Sequence, residues 1–404
     1  MDTEVFMRQQ AKRGILTGLT VCVAAALAAA SPLALEHPLE FERERIGDVT
    51  YETATAFDVN NNGVMDIVSV EYWFEGPDFT KAHRIATVDA IEDYYDAYTN
   101  FPMDVNGNGY KDIITGGWWN GKVKWRENPQ GEPGLWETHT IDAPGEVMHI
   151  LFHDIDGDGH YEILPNTPFR RQRVYKLVRD EDGKGTGEFQ KHVISPRPTG
   201  HGLGVGDING NGHKDIVSHR GWFEAPEDPM NEEWAWNAEF ELQSASIPIL
   251  VHDVNGNGKN DLIVGEAHDY GLYWKEQQLD DNGERRWVKH MIEPDRSQYH
   301  TMALADLDGD GERELITGKR YWAHQGRDPG AEDPVGVYYY KIEGGAFKEA
   351  VIDYGEPSEA SGVGIHFWVD DVTGNGWNDI LAPGKEGLFL FRNQGFPDMS
   401  GEAQ

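Results

Sequence analysis

The segment Asp104-Val-Asn-Gly-Asn-Gly-Tyr-Lys-Asp112 decides the fold, because its pattern occurs seven times in the chain. Each copy has Asp at position 1, an oxygen-bearing side chain at positions 3 and 5, Gly at position 6, and Asp or Glu at position 9. The other copies are residues 58–66, 154–162, 207–215, 253–261, 306–314 and 371–379. Their first residues lie 46, 50, 53, 46, 53 and 65 residues apart. Similarity that returns about every 50 residues predicts a propeller or a solenoid.

The oxygen atoms of this loop suit a hard cation. Ligands at positions 1, 3, 5 and 9 match the preference of Ca²⁺ for six to eight oxygens, and Gly at position 6 permits the sharp turn. In an EF-hand the last acid stands at position 12 and a helix follows. Here an apolar pair such as Ile113-Ile114 follows position 9, which is typical of a strand. The alternative is seven Asx-rich hairpin turns without an ion.

One structural Ca²⁺ is predicted for each loop, and the seventh loop differs from the others by a threonine at position 3. The predicted ligands are Asp58, Asn60, Asn62, Asp66, Asp104, Asn106, Asn108, Asp112, Asp154, Asp156, Asp158, Glu162, Asp207, Asn209, Asn211, Asp215, Asp253, Asn255, Asn257, Asp261, Asp306, Asp308, Asp310, Glu314, Asp371, Thr373, Asn375 and Asp379.

Each loop stands in the same order of strands. A small or apolar strand leads into it, an apolar strand leaves it, and an aromatic strand and a fourth strand follow. The predicted aromatic strands contain Trp73-Phe74, Trp118-Trp119, Trp222-Phe223, Tyr273-Trp274 and residues 338–340. Four strands in each of seven repeats predict an all-β, seven-bladed β-propeller over residues 37–396. A linear β-solenoid is the alternative.

The two ends of the repeat region complement each other. Only two strands follow the seventh loop, ending near residues 389–391, and a matching outer-strand segment, residues 41–46, stands alone before the first loop. The N-terminal strand is therefore predicted to complete the seventh blade and close the ring, which removes exposed sheet edges. Residues 397–404 are left as a C-terminal tail.

Residues 1–30 have the pattern of a secretory signal peptide. Arg8, Lys12 and Arg13 precede the apolar run 15–30, which is short for a membrane span. A retained N-terminal anchor is the alternative. The only cysteine, Cys22, lies in this segment, so the mature chain is predicted to be secreted or periplasmic and to lack disulfides.

The net charge of the chain is strongly negative. The sequence holds 70 Asp and Glu against 35 Lys and Arg, which argues against nucleic acid or an anionic membrane as a partner. The seven acidic loops account for much of the surplus, so the charge describes the loops more than the partners.

The acidic loops resemble those of the FG-GAP/VCBS-repeat propellers over residues 37–396. Residues 220–226 (Arg-Gly-Trp-Phe-Glu-Ala-Pro) and 125–129 (Trp-Arg-Glu-Asn-Pro) resemble a bacterial exported branch similar to the propeller of aldos-2-ulose dehydratase. Propeller-type ulvan lyases are a more distant comparison. The resemblance implies the fold and the calcium loops. For activity it implies a choice, since related propellers serve as lectins, integrin-type adhesion heads and lyases.

Candidate functional residues lie on the face opposite the acidic loops. His201 and His300 stand six residues before the first Asp of a loop, and His149 and His366 stand five before. The loops after the second strands add basic and aromatic side chains, which is notable in so acidic a chain. The rim residues are Trp118, Trp119, Arg170, His219, Arg220, His268, Lys319, Arg320 and Tyr321, and the second blade offers Tyr98.

Two interpretations of this face compete. In the first, the protein is a lyase or dehydratase that performs β-elimination on an oxidised or acidic sugar. His201 or His300 would be the base, and the acid would be Tyr321 or Tyr299. The electrophilic partners would be Arg220, Lys319 and Arg320.

The sugar itself would contact Trp118, Trp119, Arg170, Tyr98 and His219. A variant of the first interpretation has two or three of the histidines hold Zn²⁺ or a similar ion. In the second interpretation, the same face binds carbohydrate without catalysis, as in a lectin or an adhesion platform. A structural or protein-docking role is a third interpretation, because a propeller by itself implies no function.

Overall fold

A computed structural model describes residues 32–397. The predicted signal peptide and nearly all of the predicted C-terminal tail lie outside the described residues. The strands are β1 (Leu33–Ala34), β2 (Phe41–Gly47), β3 (Thr55–Phe57), β4 (Asp66–Ser69), β5 (Tyr72–Glu75), β6 (Lys81–Arg84), β7 (Ala90–Ile91), β8 (Tyr94–Tyr95), β9 (Phe101–Met103), β10 (Asp112–Gly116), β11 (Val123–Glu127), β12 (Glu137–Asp142), β13 (His149–His153), β14 (Glu162–Asn166), β15 (Arg171–Arg179), β16 (Gly185–Pro198), β17 (Leu203–Gly206), β18 (Asp215–Ser218), β19 (Gly221–Glu224), β20 (Ala235–Asn237), β21 (Leu250–His252), β22 (Asp261–Gly265), β23 (Tyr270–Leu279), β24 (Arg285–Ser297), β25 (Met302–Ala305), β26 (Glu314–Gly318), β27 (Val335–Glu343), β28 (Ala346–Gly355), β29 (Trp368–Asp370), β30 (Asp379–Gly384) and β31 (Gly387–Asn393).

Seven antiparallel sheets form the blades of a propeller, which confirms the predicted fold class. Blades 1 to 6 are β3–β6, β9–β12, β13–β16, β17–β20, β21–β24 and β25–β28. Blade 7 is built from β29, β30 and β31 with β2 as its fourth strand. The short strand β1 adds to blade 6 in parallel with β28, and β7 and β8 form a separate hairpin. A single 3₁₀ turn at Ala323–Gly326 is the one helical element within residues 32–397.

The N-terminal strand has the predicted position. Strand β2 pairs with β31 in antiparallel register from Phe41 opposite Asn393 to Gly47 opposite Leu388. The last blade therefore combines the two ends of the described chain. Within residues 32–397, no helix has the length and apolar composition that a bilayer span requires.

The core lies between neighbouring blades. The second strand of each blade is buried along its whole length, as in β10 and β22. Aromatic residues of the third strands fill the space between blades: Trp73 and Trp222 are each 2% exposed. Burial of an apolar side chain of this kind stabilises a fold by about 1.5–3 kcal/mol, so the aromatic third strands account for much of the inter-blade packing.

The recurring histidines of the outer strands have a repeated structural contact. His83, His139 and His290 each stack on a tryptophan of the third strand and bond to the glutamate two residues after it, whereas His192 lies opposite Val174 and its Nε2 has no partner within residues 32–397. The ring centroids of Trp73–His83, Trp125–His139 and Trp274–His290 are 4.4, 4.3 and 4.5 Å apart, and the bonds to Glu75, Glu127 and Glu276 measure 3.0, 2.8 and 3.0 Å. Packing therefore explains why these histidines recur.

One predicted strand is wrong. Trp118 and Trp119 were expected in the third strand of blade 2, but they lie in the turn after β10, and Trp125 of β11 takes the core position. The Gly116-Gly117 pair ends the strand: a Cβ on Gly117 would stand 2.2 Å from the Asn120 amide and 2.4 Å from the Asp96 carboxylate. Both tryptophans therefore belong to the loop face.

Candidate functional site

The four predicted histidines separate into two groups. His149 is the first residue of β13, and its Nε2 lies 3.0 Å from Nδ1 of His366, which precedes β29. His201 precedes β17 and His300 precedes β25, and their ring centroids are 5.3 Å apart. The two groups lie at the same end of the inner strands, because the four histidines stand at the start of the first strands of blades 3, 4, 6 and 7. The histidines therefore form one cluster with two distinct arrangements.

His268 is a third member of the second group. It lies in the loop between β22 and β23, and its Nε2 is 3.2 Å from Nε2 of His201. Nδ1 of His201 is 2.8 Å from the Ala245 carbonyl oxygen, which only accepts, so that nitrogen carries the hydrogen. Nδ1 of His268 is 2.8 Å from the Asp328 carboxylate and donates to it. In the neutral rings, both Nε2 atoms are therefore left with a lone pair.

His300 completes the convergence. The residue is 0% exposed, and within residues 32–397 neither of its ring nitrogens has a hydrogen-bond partner. One ring nitrogen from each of His201, His268 and His300 lies within 4.8 Å of the other two. A buried imidazole without any partner is costly unless something binds it, so this arrangement fits a bound cation.

The environment keeps these imidazoles neutral. Burial lowers the pKa of His201 to about 3, with His268 adding to the effect, and lowers that of His366 to about 4. Burial, followed by the positive charge of Arg320, holds the pKa of His300 well below its usual range. Neutral imidazole is the form that binds a metal ion or accepts a proton.

The long loop between β26 and β27 covers this cluster. The ring of His324 is tilted by 31° against that of His268 with a centroid distance of 4.5 Å, and its Nδ1 lies 3.0 Å from Asp328. The loop accounts for part of the 65-residue spacing before the seventh acidic loop. Sequence reasoning did not single out His324 or Asp328, and it treated His268 only as a rim residue. The 65-residue spacing was the feature of the sequence that could have pointed to this loop.

A buried ion pair lies beside the histidines. The Arg320 guanidinium donates to both carboxylate oxygens of Glu52, at 2.7 and 3.1 Å, and the two residues are 3% and 6% exposed. Arg320 also lowers the pKa of His201 and of His268. Because Glu52 balances the charge of Arg320, the pair as a whole is neutral, and it fixes the position of the guanidinium beside the histidines.

An aromatic wall flanks the cluster. Trp119 is 41% exposed, and its ring lies 5.6 Å from that of Tyr94 and 6.2 Å from that of Tyr98. The buried Asp96 carboxylate accepts hydrogen bonds from the backbone of Trp119, at 3.0 Å, and of Asn120, at 2.7 Å, and so fixes the turn. Trp118 packs edge-on against Phe169.

Several predicted site residues do not reach the histidines. Arg220 lies 3.5 Å from Glu241, and with His219 it lines a separate cavity of about 1010 Å³ between blades 3 and 4. Arg170 pairs with Glu146 at 3.0 Å. These predictions assumed that all rim loops converge on the histidines, whereas the loops of Arg170, His219 and Arg220 lie further from them.

Other predicted residues have structural roles. The Lys319 ammonium donates to the Asp333 carbonyl at 2.8 Å and also to that of Gly330, so it holds the covering loop. Tyr299 is 0% exposed and donates to Glu293 at 3.0 Å, so it is not available as an acid. Tyr321 is partly buried beside Trp322, at 6.0 Å between centroids.

The acidic loops share one hydrogen-bond pattern. In all seven, the Asp at position 1 accepts from the backbone of the Gly at position 6, as Asp58 does from Gly63 at 2.7 Å. The acid at position 9 is at most 1% exposed in every loop. Buried side-chain oxygens without a hydrogen-bond partner in the described chain remain on Asp154, Asp156, Glu162, Glu314 and Thr373. Such oxygens fit a cation.

The comparisons with known proteins agree with the fold. The pattern of FG-GAP-like repeats matches residues 104–164 and 253–317, so the chain contains FG-GAP-like repeats. A search of curated proteins finds no match.

Among solved structures, the chain is similar to BBS1N, crystallised in complex with ARL6DN. The TM-score is 0.50 and the identity 11%, over 90% of this chain and 98% of that one. A lectin from Agrocybe aegerita that recognises non-reducing terminal N-acetylglucosamine gives a TM-score of 0.41 and 16% identity, over 85% and 89% of the two chains. An auxiliary nutrient binding protein from Bacteroides ovatus gives 0.45 and 10%, over 88% and 77%. At such identities the likeness concerns the fold alone.

Proposed function

We propose that this protein is an exported, calcium-stabilised propeller that acts as a carbon–oxygen lyase or dehydratase on an oxidised or acidic sugar. The observation that carries the proposal is the convergence of His201, His268 and His300 next to Arg320 and the aromatic wall. The likeness of residues 220–226 and 125–129 to the aldos-2-ulose dehydratase branch supports the same class of reaction.

The three histidines are the proposed ligands of Zn²⁺ or a similar divalent ion. Three histidines with a position left for substrate is a ligand set found in catalytic zinc sites. When bound, the ion would polarise the carbonyl or carboxylate oxygen of the substrate. His201 and His300, which were predicted as bases from the sequence, are thereby assigned as ligands instead.

The remaining groups would then handle the protons. His366 is neutral, its Nε2 has no partner in residues 32–397, and it is the proposed acceptor of the proton next to the carbonyl or carboxylate. As that C–H bond breaks, the carbon–carbon double bond forms and the C–O bond to the leaving group breaks. Tyr98, whose phenol is protonated at neutral pH, is the proposed donor of a proton to the leaving oxygen. Arg320 would stabilise the negative charge of the enolate.

Structural Ca²⁺ in the acidic loops is part of the proposal. The loops of blades 2, 4 and 5 support it, because the amide nitrogen of the position-3 asparagine donates to a glutamate of the third strand. These bonds join Asn106 to Glu127, Asn209 to Glu224 and Asn255 to Glu276, at 3.0, 2.8 and 3.2 Å. The bond to the glutamate fixes the orientation of each amide group, so that its oxygen is directed away from the glutamate. Carboxylates that bond to a metal ligand from outside orient that ligand in the same way. A strong chelator should lower the melting temperature, and an unchanged value would remove calcium from the proposal.

Activity is tested with the mature chain and a panel of uronic-acid or oxidised sugars. The expected result is ultraviolet absorbance from an unsaturated product, lost in His201→Ala and in His300→Ala while circular dichroism remains unchanged. His139→Ala, a histidine of an outer strand, is the control and should retain the signal. Binding of these sugars without turnover of any would contradict the lyase.

The cavity between blades 3 and 4 favours a second candidate, a lectin-like carbohydrate-binding function. Its walls combine Trp236, which is 41% exposed, with Phe240 and with the charged side chains of Arg197 and Arg220. An exposed aromatic ring beside hydrogen-bonding groups is suited to a sugar ring. In this case sugar binding would depend on the cavity and not on the histidines.

A further inference from the structure

In each blade, the register of the second and third strands, continued by one residue, places a third-strand residue opposite the position-9 acid of the loop. In blades 1, 2, 4 and 5 this residue is a glutamate, namely Glu75, Glu127, Glu224 and Glu276. In blades 3 and 6 it is a lysine, and in blade 7 it is Arg392. Like charges directly opposite each other destabilise a sheet unless a cation lies between them. A bound cation would relieve this repulsion in the four glutamate blades, whereas the lysine supplies a positive charge of its own in the other two.

The two lysines reach into their loops. The Lys176 ammonium contacts Asp156, lies 2.6 Å from Asp158, and stands 3.7 Å from Glu162. The two aspartates surround the ammonium group with negative charge, and a lysine side chain is protonated at neutral pH. The lysine is therefore a permanent positive charge among the loop carboxylates.

Blade 6 repeats this arrangement. The Lys341 ammonium contacts Asp308, lies 2.7 Å from Asp310, and stands 4.0 Å from Glu314. Within the described chain, Glu162 and Glu314 each keep one buried carboxylate oxygen without a hydrogen-bond partner, and in each glutamate this oxygen is the one that faces the ammonium group. A lysine ammonium lies among the loop carboxylates in two separate blades, which indicates a property of this type of loop and not an isolated contact.

The loop sequences change together with the lysine. The loops of blades 3 and 6 have carboxylates at positions 1, 3, 5 and 9, and their last acid is Glu. The other five have Asn or Thr at position 3, Asn at position 5 and Asp at position 9. The two loops with carboxylates at all four positions are therefore the two that contain a lysine. The added negative charge balances the positive charge of the lysine ammonium.

We propose that Lys176 and Lys341 are tethered cations that take the place of the divalent ion in the loops of blades 3 and 6. This inference rests on the proposed calcium chemistry of the other loops. A tethered ammonium does not dissociate, so these two blades keep their loops closed at any calcium concentration. Arg392 of blade 7 is paired with Glu44 and not with its loop carboxylates. The ion-dependent blades would therefore be 1, 2, 4, 5 and 7, and the mature chain would bind at most five Ca²⁺.

Calcium counting by native mass spectrometry tests the proposal on the mature chain. Lys176→Gln and Lys341→Gln should each add one bound Ca²⁺ and increase the fall in melting temperature caused by chelator. The control is Lys275→Gln, a third-strand lysine that is paired with Leu262 and lies one residue before Glu276, and it should change neither value. Seven ions on the wild type, or no added ion in either lysine variant, would overturn the proposal.

A reverse exchange covers the case in which the lysine variants do not fold. The combined change Asn106→Asp, Asn108→Asp, Asp112→Glu and Glu127→Lys gives blade 2 the loop of blade 3, and it should remove one bound Ca²⁺. An unchanged count would contradict the proposal. The calcium counts also distinguish the calcium proposal from the tethered-lysine proposal. If the wild type binds no calcium but the lysine variants do, calcium in the other loops is refuted and the tethered lysines are retained.

Discussion

The Nε2 atoms of His201 and His268 lie 3.2 Å apart although the Nδ1 hydrogens of both rings are already donated, to Ala245 and Asp328 respectively. Two lone pairs at that distance repel each other unless a proton or a metal ion lies between them. A shared proton is disfavoured because burial lowers the pKa of both rings. A divalent cation resolves the contact and also uses the free nitrogens of His300.

Replacing His268 should therefore remove a metal site. We expect His268→Ala to lose one equivalent of Zn²⁺, measured by elemental analysis after dialysis, and to lose the visible absorbance of a Co²⁺-substituted sample. Loss of one of three ligands should weaken binding at least 10-fold, since changes even to residues that only support a ligand cost 10–100-fold. His290→Ala should keep the full metal content, because this histidine contacts Trp274 and Glu276 on an outer strand. Equal metal content in both variants would contradict the site.

The Glu52–Arg320 pair should be costly to break. Glu52→Gln leaves a buried guanidinium without its counter-charge, and removal of one partner of such a pair destabilises proteins by about 3–5 kcal/mol. Urea denaturation measures the change. The matched control is Glu44→Gln, which breaks a more exposed pair with Arg392 at 2.7 Å and should cost about 1 kcal/mol or less. If the two variants lose similar amounts of unfolding free energy, the buried charge of Arg320 does not need Glu52 as its counter-charge.

Two equally exposed tryptophans distinguish the two candidate functions. Trp119 and Trp236 are each 41% exposed, so replacement by Ala should leave folding intact in both cases. If the histidine face binds the sugar, Trp119→Ala should weaken binding about 2- to 12-fold, because an aromatic contact contributes about 0.5–1.5 kcal/mol, and Trp236→Ala should have no effect. Isothermal titration with the same sugar measures both. The opposite result would assign binding to the cavity between blades 3 and 4.

The fold was predictable because the signals that define it are local. Each acidic loop satisfies its own backbone: Asp58 accepts from Gly63 five residues later, and Asp66 accepts from Val59 seven residues earlier. Such contacts require particular residue types at fixed spacing, so they are visible in the sequence. The site combines His201, His268 and Asp328 from blades 4, 5 and 6, and no spacing encodes which rim side chains turn toward one another. The aromatic pair Trp118-Trp119 was misassigned for a related reason, since composition alone does not reveal that Gly117 ends the strand.

Glu386 gives a prediction for the dependence of stability on pH. It lies in the turn between β30 and β31, where one carboxylate oxygen accepts from the Gly362 backbone and the other is buried without a partner in residues 32–397. Burial raises its pKa from 4.5 to about 7, with the nearby Glu52 adding to the effect. The stabilising contribution of the protonated side chain is therefore fully present below pH 4.5 and is lost as the pH rises through about 7.

The Glu386→Gln variant should remove this dependence because an amide does not titrate. Relative to the variant, the wild type should lose roughly 3 kcal/mol of unfolding free energy between pH 4.5 and 7.5, since each pKa unit corresponds to about 1.4 kcal/mol. Urea denaturation of both proteins across this range measures the difference, and all other titrating groups cancel in the comparison. Glu284→Gln, on an exposed hairpin, should give a curve parallel to that of the wild type. If the curve of Glu386→Gln is also parallel, the Glu386 carboxyl is ionised in the folded protein at neutral pH and must have a cationic partner.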